Sequence, residues 1–215
     1  MSLLLEESTN GRVDYAAGIH PYRMAVEVEG TANLLFHRYD PAVVDRKSKA
    51  TKGSAERMTD HPEDAVYRDG DGVLCLPATN WHAALANAAK FVSDPRSSGR
   101  RKQAGDLFKA AVIVLPDLVP FRNSRGEPAT SWDFVDRRGV VVQRARVNRE
   151  RPGLLAGWRA RFIVEVLAAD YVEPQLLREV LGLAGRFCAV GDFRPNFGRF
   201  QVVLAEVTPE AADVS

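Results

Sequence analysis

Cysteine is scarce in this chain of 215 residues: Cys75 and Cys188 are its only two. Each lies in an apolar stretch with no His or Cys nearby, which argues against a zinc-spaced set and reads as small buried thiols in a reducing compartment. The four histidines, His20, His37, His61 and His82, show no metal-ligand spacing, so neither a metal nor another cofactor is expected. No apolar run approaches the roughly 20 residues that span a bilayer. No basic segment precedes Leu3-Leu4-Leu5 as a secretory leader requires, and the expectation is a cytoplasmic protein with no membrane partner. A Walker loop, a nucleophile elbow and a dinucleotide fingerprint are also absent, which removes the commonest nucleotide-dependent and acyl-transfer chemistries. There is no internal repeat and no linker, so residues 1–215 read as a single domain.

Charge is nearly balanced overall, at +1, but it is unevenly placed. Between Arg137 and Arg161 stand Arg137, Arg138, Arg144, Arg146, Arg149, Arg151, Arg159 and Arg161, against a single acid, Glu150. That segment carries +7, which leaves −6 for the rest. A solvated edge strand kept from pairing usually mixes signs or favours lysine. One acid among eight arginines points to phosphate as the ligand.

The apolar pattern is that of an α+β chain. Met24, Val26 and Val28 alternate with Glu27 and Glu29 as in a half-buried strand. Leu34-Leu35-Phe36 is a short apolar run. Residues 37–64 form a long polar insertion with Lys47, Lys49 and Lys52 among its cations and a helical turn expected over Pro41–Lys47. It reads as a mobile loop or as a basic finger that orders on nucleic acid or on a neighbouring subunit. Tyr67 to Leu76 is a hairpin turned at Asp-Gly. Pro77 opens a helix running to Phe91, capped by Thr79 or Asn80, with Trp81, Ala84, Leu85, Ala88 and Val92 on one face. His82, near its start, gains the helix-end amides if a phosphate binds there. A short helix over Gln103–Ala110 and a buried strand over Ala111–Leu115 follow, then a loop-rich stretch from Pro116 to Trp132. Gly139–Arg151 alternates as one long ribbon strand, with Val140, Val142, Arg144 and Arg146 on one face, and Trp158–Leu167 returns as a strand. Pro174 opens a helix whose stripe is Leu176, Leu177, Val180, Leu181, Ala184 and Phe187. The last strand, Arg199–Val207, alternates Phe200, Val202, Leu204 and Glu206 against Gln201, Val203 and Ala205.

Between that helix and that strand lies Gly191-Asp192-Phe193-Arg194-Pro195-Asn196-Phe197-Gly198-Arg199. Arg194 and Arg199 supply phosphate contacts, and Phe193 and Phe197 supply faces on which bases stack. The element order is ferredoxin-like, or RRM-like: β-α-β-β-α-β, with long inserted basic loops and a β-ribbon.

Three stretches resemble the RAMP superfamily, the RNA-binding backbone subunits of CRISPR effector complexes. Leu76-Pro77-Ala78-Thr79-Asn80-Trp81-His82-Ala83-Ala84-Leu85 is similar to the family's strand-to-helix motif, with Ala78 where that motif has Gly and His82 near its basic position. The ribbon over residues 137–158 is similar to the family's thumb hairpin and the strands returning from it. Gly191–Phe200 resembles its glycine-rich loop. The likeness covers residues 22–207 and implies a single RAMP-like domain, compact or phage-encoded. It further implies a non-catalytic subunit that oligomerises along guide RNA beside other effector subunits. Some members cleave target RNA with an acid after the first strand, the region that Asp40 occupies here. Two alternatives stand beside this reading. One is a metal-independent endoribonuclease with Asp40 or His37 as base. The other is a scaffold whose arginines grip an acidic protein.

Overall fold

The computed structural model describes residues 21–51, 54, 61–97, 102–142 and 145–208, with the backbone alone for 140–142 and 145–148. In chain order its elements are β1 (Tyr22–Gly30), β2 (Leu34–Leu35), α1 (Pro41–Lys49), β3 (Tyr67–Arg68), β4 (Leu74–Pro77), α2 (Ala78–Ala88), α3 (Gly105–Ala111), β5 (Val112–Leu115), β6 (Leu118–Arg122), β7 (Phe134–Val142), β8 (Ala145–Leu154), β9 (Arg159–Val166), α4 (Pro174–Leu183) and β10 (Phe200–Thr208). No described helix is long and apolar enough to cross a membrane.

The strands form two antiparallel sheets. The larger runs β10-β1-β9-β6-β4-β3, and β5 pairs with the same edge of β9 as β6, further along that strand. The smaller runs β2-β8-β7. The alternation read in β1 is realised: Met24, Val26 and Val28 are fully buried, while Glu27 and Glu29 point to the other face. There they meet Arg161 and Arg159 of β9, directly opposite in register, at 2.5 and 3.0 Å. The core lies between the sheet and the helices, centred on Trp81. Its ring packs 4.6 Å from Phe162 and 5.8 Å from Phe200, centroid to centroid. Helix α4 contributes Leu177, Val180 and Leu181, each fully buried and each worth roughly 1.5–3 kcal/mol by removal from water.

The structure departs from several sequence expectations. The single strand over Gly139–Arg151 is instead a hairpin of β7 and β8, with Val142 opposite Ala145. The reversal shifts the alternation, so Arg146 stands opposite Val141 rather than in line with Val140 and Val142. The stretch after Pro116 contains a strand, β6, that pairs with β4 through Pro120. Helix α2 starts at Ala78 after Pro77 and has no side-chain cap, so Thr79 and Asn80 lie inside it. A bulge opposite Glu27 and Val28 interrupts the alternation of β10, so the strand packs Phe200, Val202 and Ala205 against the core and leaves Val203 exposed. Helix α4 ends in a π-helical turn, Ala184–Cys188, that turns Phe187 to solvent.

Candidate nucleic-acid interface

Residues 31–36 position the site. β2 pairs with β8 on one edge, Leu34 opposite Leu154 and Leu35 opposite Gly153. On its other edge the Leu35 carbonyl accepts from Asp192 N at 2.9 Å, and the Asn33 carbonyl accepts from Gly198 N at 2.8 Å. The ribbon and the 191–199 loop therefore flank one short strand. The loop's glycines serve this internal packing. At Gly198, with φ +74°, a Cβ would stand 1.7 Å from the Val190 carbonyl oxygen, and at Gly191, with φ +77°, one would stand 2.5 Å from that of Leu35. The backbone they let approach is the protein's own.

Side chains complete the joint. The Nε of Arg151, on β8, donates to the Asp192 carboxylate, and its guanidinium lies over the Phe193 ring, 4.4 Å from the centroid. Arg138, on β7, lies over the same ring at 4.8 Å and over Phe197 at 5.1 Å. Arg138 is also held by two 2.6 Å bonds to Asp136, which keep its guanidinium firmly charged. Phe193 is thus shared by two arginines of the ribbon. It adopts φ +52°, a left-handed conformation that costs a non-glycine residue about 1–2 kcal/mol. Contacts of this cation–ring kind return about 0.5–2 kcal/mol each.

This geometry sorts the sequence-derived residues. Arg138, Arg151, Phe193 and Phe197 come together at the ribbon base. Arg194 and Arg199 are exposed in the docked loop and make no side-chain hydrogen bond or ion pair with another described residue. Arg149 stands opposite Arg138 in the hairpin register. Arg137 is exposed and pairs with Glu150 at 3.0 Å. Arg144 and Lys52 lie outside the described residues, and only the backbone of Arg146 is described. Lys47 and Lys49 sit in the last turn of α1, a helix that buries no residue. That helix is tied by Arg46 to Asp64, at 2.5 Å, in the Pro62–Ala65 turn, which packs against β8. His82 is half-buried in the first half of α2, and its side chain makes no ion pair or hydrogen bond with another described residue.

Asp40 is accounted for as a helix cap: its Oδ1 accepts from Ala42 N at 2.9 Å, and its Oδ2 faces Arg38 at 3.3 Å. His37 is exposed nearby. No group of three His, Cys, Asp or Glu among the described residues is arranged to hold a metal.

No protein-family model matches the chain, and no curated protein matches it. Solved structures do. A chain of a Type III-B Cmr-beta complex bound to cognate target RNA superposes with a TM-score of 0.50 at 11% identity, over 87% of this chain and 60% of that one. A chain of a Type IV-B CRISPR complex superposes with a TM-score of 0.40 at 14% identity, over 90% of this chain and 93% of that one. The first likeness is one of fold, and this chain spans 60% of the length of the chain it matches.

Sequence reasoning missed the distant counter-charges, Asp192, Glu29 and Glu27. Among the described residues, Arg137, Arg138, Arg151, Arg159 and Arg161 of the basic stretch are ion-paired. Four of the acids, Asp136, Asp192, Glu29 and Glu27, lie outside the segment in which the charge was counted.

Proposed function

We propose that this chain is a non-catalytic RNA-binding subunit of a CRISPR-type effector complex. It forms one RAMP-like domain with a ferredoxin-like core, and it assembles along guide RNA with further copies and other subunits. The observation that carries the reading is Phe193, gripped by Arg138 and Arg151, which joins the arginine ribbon and the exposed-arginine loop into one surface. The strand order β10-β1-β9-β5 supports the core, since it places the last strand beside the first and the third beside the second, as a ferredoxin-like fold does. The fold likeness to a chain of a complex bound to target RNA supports the partner.

The RNA does not lie where RRM domains hold it. Those domains stack bases on aromatics of the open sheet face. Here that face carries the pairs Glu27–Arg161, Glu29–Arg159 and Arg23–Glu165. Phosphates instead follow Arg194 and Arg199 of the loop and the ribbon, where the sequence adds Arg144 and Arg146 as thumb ligands. The cations Lys47, Lys49 and Lys52 extend the path at α1 and beyond it.

Binding of labelled single-stranded RNA, followed by anisotropy over a salt series, tests this. Replacing Arg144 and Arg146 by Ala weakens binding alike for all sequences and lowers the salt slope by about 0.7 per lost phosphate contact. Unchanged affinity and slope would remove the ribbon from the interface. Wild-type protein leaves the RNA intact; cleavage that disappears in Asp40→Asn would establish the nuclease instead.

A further inference from the structure

Phe91 and Phe187 are 65% and 47% exposed, yet their rings pack against each other with centroids 5.5 Å apart and planes at 51°. They come from different elements. Phe91 ends the 3₁₀ turn after α2, and Phe187 lies in the π-helical turn after α4. Regular α-helical continuation would have turned Phe187 inward with Leu177, Val180 and Leu181; the π turn carries it outward. Such turns recur at functional sites, and two large rings held together in solvent form a patch that calls for a partner.

The surroundings of the pair are cationic. The Arg186 guanidinium lies 5.1 Å from the Phe187 ring centroid. Lys90 precedes Phe91 and is held by Asn87 at 2.7 Å. Cys188, next to Phe187, senses two outside charges, Arg194 and Lys90, both positive; burial pushes its thiol up, and they oppose it. Arg194, exposed in the loop at the ribbon base, is one of the two charges that act on the Cys188 thiol beside this patch. Exposed rings bordered by positive charge match the chemistry of a single strand: bases stack on the rings, and phosphates meet the cations. An apolar protein partner would leave three cations to be desolvated beside it.

We propose that Phe91 and Phe187 form a stacking platform for an unpaired base of single-stranded nucleic acid, with Lys90, Arg186 and Arg194 holding the flanking phosphates. This rests on the nucleic-acid-binding reading above and adds a contact outside the ribbon.

The test uses the full chain and a labelled oligouridine of about 16 nucleotides, with oligothymidine and duplex RNA as parallel probes. Phe91→Leu and Phe187→Leu keep an apolar side chain at exposed positions, so the fold is retained, and both remove the stacking face. Each lowers affinity for both single strands by roughly five- to a hundredfold. The salt slope and duplex binding stay unchanged, because no cation is removed and duplex bases are already stacked. Phe187→Trp retains affinity, and its fluorescence is quenched as the oligonucleotide binds. Leu variants that bind as tightly as wild type overturn the platform while leaving the proposed function standing. A wild-type protein that binds no single strand overturns both. Leu variants that change sedimentation behaviour but keep their affinity assign the patch to a second copy of the chain and overturn the proposal.

Discussion

Arg151 lies over the Phe193 ring, 4.4 Å from its centroid, while its Nε donates to Asp192, the residue before that ring. One arginine thus holds both an acid and an aromatic of the same loop. At 8% exposure it is, with Asp94, one of the two buried charged residues among those described, and its Nη1 has no hydrogen-bond partner among them. A buried guanidinium depends on its counter-charge, and here the counter-charge also fixes the loop to the ribbon.

Asp192→Ala therefore destabilises the protein by about 2–4 kcal/mol in urea unfolding, because it strands a buried charge. Arg151→Met/Asp192→Ala, which removes both charges and keeps the packing volume, costs less than Asp192→Ala alone. A double variant no more stable than the single one would mean that Arg151 is not buried against Asp192. Under the proposed function, Asp192→Ala also weakens RNA binding, since the loop arginines lose their fixed place beside the ribbon.

The loop glycines separate two sources of backbone cost. Gly198→Ala meets both a positive φ and the Val190 carbonyl at 1.7 Å, and it should cost more than about 3 kcal/mol by thermal unfolding. Gly72, with φ +78° and open space around it, bears the conformational cost alone, about 1 kcal/mol on replacement by Ala. Equal losses at the two positions would show that Gly198 does not pack closely against the Val190 carbonyl.

The elements that were legible in the sequence are those whose evidence is local. Met24, Val26 and Val28 alternate within five residues of one another, and Leu177, Val180 and Leu181 fall on one helical face within a single turn and a half. The ribbon was half legible. Its alternation and its arginines are local, but a reversal inside an alternating run preserves the look of one strand while changing which residues share a face. β6 was hidden by Pro120, which reads as a breaker. The charge pattern misled for a different reason. Asp192 is 41 residues from Arg151, and Glu29 and Glu27 are 130 and 134 residues from Arg159 and Arg161. No sequence window contains such pairs; only the antiparallel sheet brings them together. The opening for Phe187 depended on a π turn, which the apolar spacing does not encode.

A buried thiol and a half-buried phenol of raised pKa make stability fall in alkali. Burial pushes the Cys75 thiol up to about 11 from its ordinary 9, and its Sγ donates to the Val73 carbonyl. Burial likewise raises Tyr22, whose hydroxyl donates to the Val172 carbonyl at 2.8 Å. The unfolded chain releases these protons first, so above the ordinary thiol range it holds fewer protons than the folded one, and stability declines as pH rises. The unfolding free energy from urea titrations should be flat near neutrality and then fall by up to about 1.4 kcal/mol per pH unit for each titrating group. Cys75→Ala should reduce that slope; an unchanged slope in this variant would assign the alkaline loss to other groups.

The distinction between a charge and an available charge gives the sharpest test of the interface. Arg194→Ala/Arg199→Ala and Arg159→Ala/Arg161→Ala each remove two positive charges, so any effect of net charge on RNA affinity is the same in both. Their surroundings differ. Arg159 and Arg161 face Glu29 and Glu27 on the open sheet face, whereas Arg194 and Arg199 have no ion pair among the described residues. A phosphate competing for Arg161 must displace a carboxylate already 2.5 Å away. The loop double variant should therefore lower the salt slope for single-stranded RNA by about 1.4, at roughly 0.7 per phosphate contact. The sheet double variant should leave slope and affinity near wild type and lose no more than about 1–2 kcal/mol of stability, as exposed ion pairs do. Equal losses of RNA affinity in the two variants would mean that binding follows overall charge, and the loop would lose its claim to be the site.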